Sequence, residues 1–419
     1  MPRLLALAAT VTLSLVAAAS ASPAQDLFDQ VADLVQNRYG GVSTVDRAQL
    51  VKTYQKDLDK TCETPGDNCS YELAFPVIEK EIAALGDGHT FFERPDILND
   101  FNARKSGGSR LQYGLKFGNL ENGEQVVKEV VPGSSADTAG LRRGDRLVGI
   151  DGQKYTYELL RDSRSKGGPV TLDVRRPTPQ GEQALQVQIT ASVSSTRDLP
   201  RIEYQEGVAV LRIPTFLSGG GVAQGVHDLV RQAEEKNVRG IVVDLRDNSG
   251  GDLAECDLAI SAFVPSFTRV AQTARGDNAT TVEGGMYRSG LNLYPGVTSP
   301  ALWNGPLAVL VNKNSASCSE FFAREIQYAK RGPIIGESTA GVGNTATQVA
   351  SLLGGAGLQL TVVHYVKPDG SAYPERVTPE VSAQDDDVAL SKGQDVLLQK
   401  GFETLRAIPA SAAAPGTGN

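Results

Sequence analysis

The spacing of apolar positions changes character twice along the chain. Between about 25 and 105 apolar residues recur at helical intervals. Leu27, Phe28, Val31, Leu34 and Val35 share one face, and Ala74, Val77, Ile78, Ile82 and Leu85 another, the signature of amphipathic helices. The second run stops at Gly86-Asp87-Gly88-His89-Thr90, where two glycines break the helix. From about 108 to 195 the apolar runs shorten to strand length between glycine turns, which predicts a small β-rich module. From about 196 onward strands alternate with helices. Strands are expected over 208–213, 240–245, 307–311, 334–335 and 358–366, and helices over 222–233, 252–263 and 317–329. Such alternation predicts an α/β layer architecture. Residues 266–303, with Gly284-Gly285 inside them, show no clear period and are expected to form a long loop or flap. A helical pattern returns over 393–405, and the Ala/Pro/Gly/Ser-rich end reads as disordered. The pattern divides the chain into an α-helical domain (22–106), a β-rich module (107–195), an α/β core (196–408) and a tail (409–419).

Composition narrows the class. The 419 residues are 40% hydrophobic and 21% charged, with a formal net charge of -8. That is a globular, multidomain composition. An acidic chain without a basic stripe is a poor nucleic-acid binder. At the start, Arg3, a short apolar stretch over 4–16 and Ala19-Ser20-Ala21 form a secretory signal over 1–21. Cleavage is expected before Ser22, with Ala24 a second possible start, and no cysteine follows to take a lipid. The apolar stretch is too short to span a bilayer, and nothing later is long or apolar enough. A protein exported to the cell envelope, the periplasm or the medium is expected, not an integral membrane protein. Export permits disulfides. Cys62 and Cys69 bracket the turn-rich Glu-Thr-Pro-Gly-Asp-Asn loop and are expected to bridge. Cys256 and Cys318 are a second pair or two buried thiols, with the pair slightly favoured and Cys318 as a catalytic thiol a weaker option.

Three stretches carry candidate chemistry. Asn314-Ser315-Ala316-Ser317-Cys318-Ser319-Glu320 follows an apolar strand and opens a helix. A serine at that turn is exposed, with a helix N-terminus behind it that favours developing negative charge. Ser and Asn are also ordinary helix caps. Asp244-Leu245-Arg246-Asp247-Asn248-Ser249-Gly250-Gly251 follows another strand. Its glycines let backbone amides turn toward a ligand, as an oxyanion hole requires, or they are only a turn. The three histidines are His89 in the glycine loop, His227 in a helical run and read as a surface residue, and His364 in a strand. No spacing of His, Cys or carboxylates indicates a metal site, and no phosphate-cradling loop or other cofactor signal is present.

The β-rich module closely resembles a PDZ domain. Its marks are Tyr113-Gly114-Leu115-Lys116-Phe117, Gly133-Ser134-Ser135-Ala136, Ala139-Gly140-Leu141-Arg142-Arg143-Gly144-Asp145 and Ile150-Asp151-Gly152. The resemblance implies capture of an extended peptide at a sheet edge. The amides of Tyr113, Gly114, Leu115, Lys116 and Phe117 would hold its C-terminal carboxylate; a PDZ-shaped spacer without ligand is the bland reading. The Asp-Leu-Arg-Asp-Asn-x-Gly-Gly turn, the Ser-Ala-Ser-x-Ser-Glu turn, Gly336-Glu337-Ser338-Thr339-Ala340-Gly341 and Arg212-Ile213-Pro214-Thr215-Phe216 occur in order after it. Together they resemble the carboxyl-terminal processing, or tail-specific, serine peptidases over about residues 75–405. The resemblance implies a crotonase-like α/β core and Ser317 as nucleophile. It also implies oxyanion donors from the amides of Gly250 or Gly251 and of Cys318.

One departure stands out. The family's common Ser-Lys members carry the base in a Gly-Lys-Gly segment, and here that segment is Gly341-Val342-Gly343. Val342 cannot accept a proton. Lys313, Lys330 and Lys367 are near in sequence but not at that position. A branch similar to the tricorn protease core uses a histidine ahead of the core. Leu85-Gly86-Asp87-Gly88-His89 matches it, and an imidazole suits a serine hydroxyl near neutral pH. The same branch implies Glu375, in Glu375-Arg376-Val377-Thr378-Pro379-Glu380, as the group orienting His89. That branch has a serine where this chain has Gly88, so a Glu375 link would be direct, through water or absent, and Asp87 is a rival. His364 is a lesser candidate base. The resulting expectation is an exported serine endopeptidase acting on unfolded or C-terminally recognised proteins. The alternatives are a catalytically silent peptide-binding protein and, more weakly, a crotonase-like acyl-transfer enzyme acting on thioesters.

Overall fold

The computed structural model describes residues 21–408 apart from 274, 275 and 295. All but the last residue of the expected signal segment, and the expected disordered tail, lie outside the described residues. The α/β core is built on a six-stranded sheet in the order Arg201–Gln205, Val208–Arg212, Gly240–Asp244, Leu307–Val311, Ile334–Gly336, Val381–Ser382. Only the first strand is antiparallel to its neighbour. Gly240–Asp244 and Leu307–Val311 are buried throughout, as parallel strands covered on both faces must be. Strand alternation then sends Ala209, Leu211, Ile241, Val243, Val309 and Val311 toward one layer and Val208, Val210, Val242, Ala308 and Leu310 toward the other. The first layer is the helices Val222–Glu235, Leu253–Ile260 and Cys318–Tyr328; the second is Val396–Ala407. His227 corrects its expectation as a surface residue. It is fully buried, with Nε2 3.0 Å from Leu258 O and Nδ1 accepting from the Ala301 amide at 2.9 Å.

The segment expected to be a flap is instead sheet. Ser266–Thr273, Gly276–Glu283, Met286–Ser289 and Asn292–Tyr294 pair antiparallel in succession. Gly284 and Gly285, the residues that read as loop, have φ of 54° and 79°. Two positive φ values in a two-residue connection are what a tight hairpin needs. Periodicity fails here because these strands are mostly half-exposed on both faces. This second sheet also contains Gly357–Val366, Thr345–Ser351 and Phe91–Glu93. The N-terminal helices Pro23–Asn37, Arg47–Cys62 and Tyr71–Ala84 pack on it, their core completed by Leu352, Ala356, Leu358 and Leu360. That packing brings the loop after Tyr71–Ala84, and His89 with it, to the core. Cys62 and Cys69 are bridged, with Cα atoms 5.4 Å apart. Cys256 and Cys318 are free and buried, against the favoured second pair.

The β-rich module is an insertion whose entering strand, Ser109–Gln112, pairs with its leaving strand, Ser192–Ser195. Its sheet runs Leu115–Asn119, Gln125–Val130, Arg146–Ile150, Pro169–Thr178, Gly181–Thr190. Charge docks it onto the core. Lys128 Nζ lies 2.8 Å from both Asp247 and Asp385. Glu129 is shared by Lys116, Arg201 and Arg212, and Arg143 pairs with Asp395 at 2.9 Å. Among the described residues no helix is long and apolar enough to cross a membrane.

Candidate active site

Ser317 sits where strand Leu307–Val311 has turned into helix Cys318–Tyr328. Its φ of 54° and ψ of -113° lie outside the regions a non-glycine residue ordinarily occupies. Such a conformation costs about 1–3 kcal/mol and persists only where the surroundings impose it. They do so here. The Ser317 amide donates to Glu320 Oε2 at 2.9 Å. The Ala316 amide and the Ser319 hydroxyl both donate to Asn248 O, at 3.0 and 2.7 Å. Ser315 Oγ reaches Leu245 O at 2.9 Å. The serine turn is therefore sewn to the Asp244–Gly251 turn, itself held by Asn248 Nδ2 on Ile213 O at 2.9 Å.

Glu320 is the residue the sequence reading passed over. It is fully buried and accepts four hydrogen bonds. Besides Ser317 N, these come from Val342 N at 3.0 Å, Gly341 N at 2.8 Å and Thr339 Oγ1 at 2.6 Å. One carboxylate thus fixes the Ser317 backbone and the 339–342 segment together. The signal was available: Ser317-x-x-Glu320 has the spacing of a capping box.

The two glycines separate into different tasks. A Cβ on Gly250 would meet Ser317 Cβ at 2.8 Å and Cys318 N at 3.1 Å, and its φ is 99°. Gly250 is the floor on which the serine rests. Its own amide is occupied, donating to Asn248 Oδ1 at 2.9 Å, which corrects its expected role as an oxyanion donor. The amides of Gly251 and Cys318 donate to no group among the described residues. Cys318 is the first residue of its helix, where an N–H has no intrahelical acceptor. Its thiol is turned inward, onto Gly251 O at 3.3 Å, and Cys256 Sγ is 3.0 Å from Cys318 O.

His89 is drawn toward the same place. The ideal Cβ of Gly88 lies 3.8 Å from Val342 Cγ1, and Val342 shares the Glu320 carboxylate oxygen with Ser317. His89 is 6% exposed, with Nδ1 2.8 Å from Thr345 Oγ1. With its hydroxyl donated to Val342 O at 3.5 Å, Thr345 can accept from Nδ1–H, the tautomer that leaves the Nε2 lone pair free. Burial pushes the imidazole down to about 4, partly opposed by the charge of Asp87. Asp87 serves the loop, not the ring, through the His89 amide at 2.9 Å and the Thr90 hydroxyl at 2.9 Å. Glu375 does not take up its expected place. Its side chain is exposed, and its backbone carbonyl receives Gly343 N at 3.1 Å. The group on His89 is Thr345, which no local motif announces. His364 is bound to Gln272 Oε1 at 2.7 Å. Among the described residues no cluster of His, Cys, Asp or Glu could hold a metal ion.

A cleft of about 350 Å³ runs from the Tyr113–Phe117 strand to Pro214, Thr215, Leu217 and Ser249. It therefore joins the expected carboxylate loop to the edge of the Asp244–Gly251 turn. Asp247, at φ 56°, lies between them. Burial would raise its carboxyl, but Lys128 brings it down to about 2. Asn312 and Asn314 donate to its Oδ1 at 3.0 and 2.8 Å. The PDZ-like strand, the Asp244–Gly251 turn and the serine turn thus share one polar bridge.

An α/β core with a serine on a helix N-terminus beside free amides, joined to an inserted β-rich module, is an architecture that a serine-type peptidase can use. Comparison with known proteins agrees: residues 207–383 match peptidase family S41 and residues 126–176 a PDZ domain. The chain thus carries a peptidase family S41 domain and a PDZ domain. It is 27% identical over 333 residues to a tail-specific protease of Haemophilus influenzae, covering 73% of this chain and 43% of the relative. It is 28% identical over 318 residues to a carboxyl-terminal-processing protease of Synechocystis, covering 71% and 67%. The chain thus spans less than half of the first relative and about two thirds of the second. In structure it is similar to a photosystem II D1 C-terminal processing protease, with TM-score 0.51, 23% identity and coverage of 94% and 99%.

Proposed function

We propose that the chain is an exported serine endopeptidase that takes protein substrates by their C-terminus. The observation that carries this reading is the imposed φ of Ser317 together with the unengaged Gly251 and Cys318 amides beside it. Ser317 Oγ would attack a substrate carbonyl while His89 Nε2 takes its proton. The two amides would hold the oxyanion. The imidazolium would return the proton to the leaving amine, freeing one chain end and leaving an acyl-serine. Water, deprotonated by the same imidazole, would release the second product and restore Ser317. Two features support His89 as base: Val342 occupies the place of the family's lysine, and Thr345 leaves Nε2 open. The PDZ module would bind the substrate's carboxylate at Tyr113–Phe117. The signal-like first residues support export.

The test is cleavage of casein by the purified protein beside Ser317→Ala and His89→Ala. Activity only without substitution supports the assignment. Full activity in His89→Ala with Ser317→Ala inactive removes His89 as base. No cleavage by any form, with peptide binding retained, turns the reading to a silent peptide-binding protein.

A further inference from the structure

The cleft beside Tyr113–Phe117 has a chemistry that says which chain ends fit it; the argument rests on the C-terminal capture proposed above. Helix Tyr157–Lys166 forms its wall opposite strand Leu115–Asn119. Tyr157, Leu160, Arg161 and Arg164 all line it, at the three- and four-residue spacing that puts side chains on one helix face. A peptide added to the strand edge points alternate side chains at that helix. Its last and third-from-last side chains would therefore face these residues. Leu115, Phe117, Val131 and Leu160 offer the last one an apolar seat.

The remaining lining is charged, and its uncommitted charge is positive. Arg104 and Arg110 are both drawn to Asp100. Lys116 is paired with Glu129 and Asp198, and Asp247 with Lys128. Arg164 has no acidic partner among the described residues. Arg161 has only its neighbour Asp162 at 3.4 Å, both about half-exposed. Arg164 lies in the helix's last turn, where a cation also complements the helix dipole; Arg161 lies outside that turn and has no such explanation. The Tyr113 hydroxyl is buried without a partner; burial raises its pKa, with the charges of Arg164 and Asp151 acting in opposite directions. One unpaired guanidinium, and a second held only by an exposed neighbouring carboxylate, in a chain of net charge -8 call for an anionic ligand.

We propose that the cleft selects protein C-termini with an apolar last residue and an Asp or Glu third from the end, read by Arg161, while Arg164 attends the terminal carboxylate. Three residues along a helix advance about 4.5 Å and two along a strand about 6.6 Å, a mismatch of about 2 Å that the length of an arginine side chain takes up. Fluorescent peptides ending in Leu, with Glu, Gln or Lys third from the end, are titrated into the full-length Ser317→Ala protein. Fluorescence anisotropy then reads binding without cleavage. The Glu peptide should bind about two- to fivefold tighter than the Gln peptide at low salt, the range of a half-exposed charge pair, and the Lys peptide more weakly still. Arg161→Gln should erase the preference, and Arg161→Glu should reverse it toward Lys, both with an unchanged melting temperature. Equal affinities for the three peptides, or an unreversed preference in Arg161→Glu, overturn the proposal. Amidating the peptide's end separates the two levels. If the amide binds as well as the acid, C-terminal capture itself fails. If amidation abolishes binding while Glu and Gln stay equal, capture stands and the acidic preference falls. Absence of binding by every peptide removes both.

Discussion

The two halves of the site are built to different standards. Around Ser317 nearly every backbone group has an assigned partner: Glu320 takes four donors, and Asn248 O receives Ala316 N and Ser319 Oγ. Around His89 one hydroxyl, Thr345 Oγ1, meets the ring, and an apolar side chain, Val342, borders its loop. The proposed nucleophile is thus held by redundancy and the proposed base by burial and a single contact. Strained geometry needs redundancy, because an unsupported φ of 54° relaxes. A neutral imidazole needs only to be kept dry and in one tautomer.

The sharpest way to break the contrast is Glu320→Ala. It leaves four donors without an acceptor, each costing about 1–3 kcal/mol when buried. Casein cleavage should vanish, and urea unfolding should show a loss of at least about 3 kcal/mol. A stability within 1 kcal/mol of the parent, a margin below the cost of even one buried orphan, would sink the claim that this carboxylate holds the turn. His89→Ala comes next. Losing a general base costs about 10²–10⁴ in rate, and the folded form should survive because no strained backbone depends on the ring. Gly250→Ala follows, at about 10²-fold, the cost of an ångström-scale misplacement of a reacting group. Its methyl must displace Ser317 Cβ from 2.8 Å. A crystal structure of that variant with Ser317 unmoved would refute the floor role.

Legibility follows the same division. The serine turn and the glycine turn were readable because each is local: a strand, a short motif and a helix, with the function written in consecutive residues. Glu320 was also local and lay within reach of the capping-box spacing. Thr345 was not readable, since it meets His89 only because the N-terminal helices dock on the second sheet, bringing together residues 256 positions apart. Glu375 illustrates the opposite error. The motif around it matched, but the side chain faces out while its backbone carbonyl ties Gly343. Sheet at 266–294 was missed because strands exposed on both faces carry no alternation.

The smallest effect tests the sparse half most directly. Thr345→Val keeps shape and burial but removes the acceptor of Nδ1–H, so the imidazole is free to place its proton on Nε2 and lose its basic nitrogen. A fall in kcat of about three- to tenfold is expected, the equivalent of one neutral hydrogen bond. The pH profile gives the sign. Burial holds His89 at about 4 in the folded protein against an ordinary 6.5. The neutral form therefore persists well below pH 6, and the acid limb of kcat/KM, which reports the free enzyme, should fall near 4. The same shift makes folding stability rise with pH between about 4 and 6.5, where the unfolded chain binds a proton that the folded one refuses, and level off above. In Thr345→Val the limb should stay near 4, because the ring is as dry as before, while the plateau drops. A limb at 6.5 in the parent would mean that the ring is solvated in solution. A plateau unchanged in Thr345→Val would mean that the tautomer is set by something other than this hydroxyl.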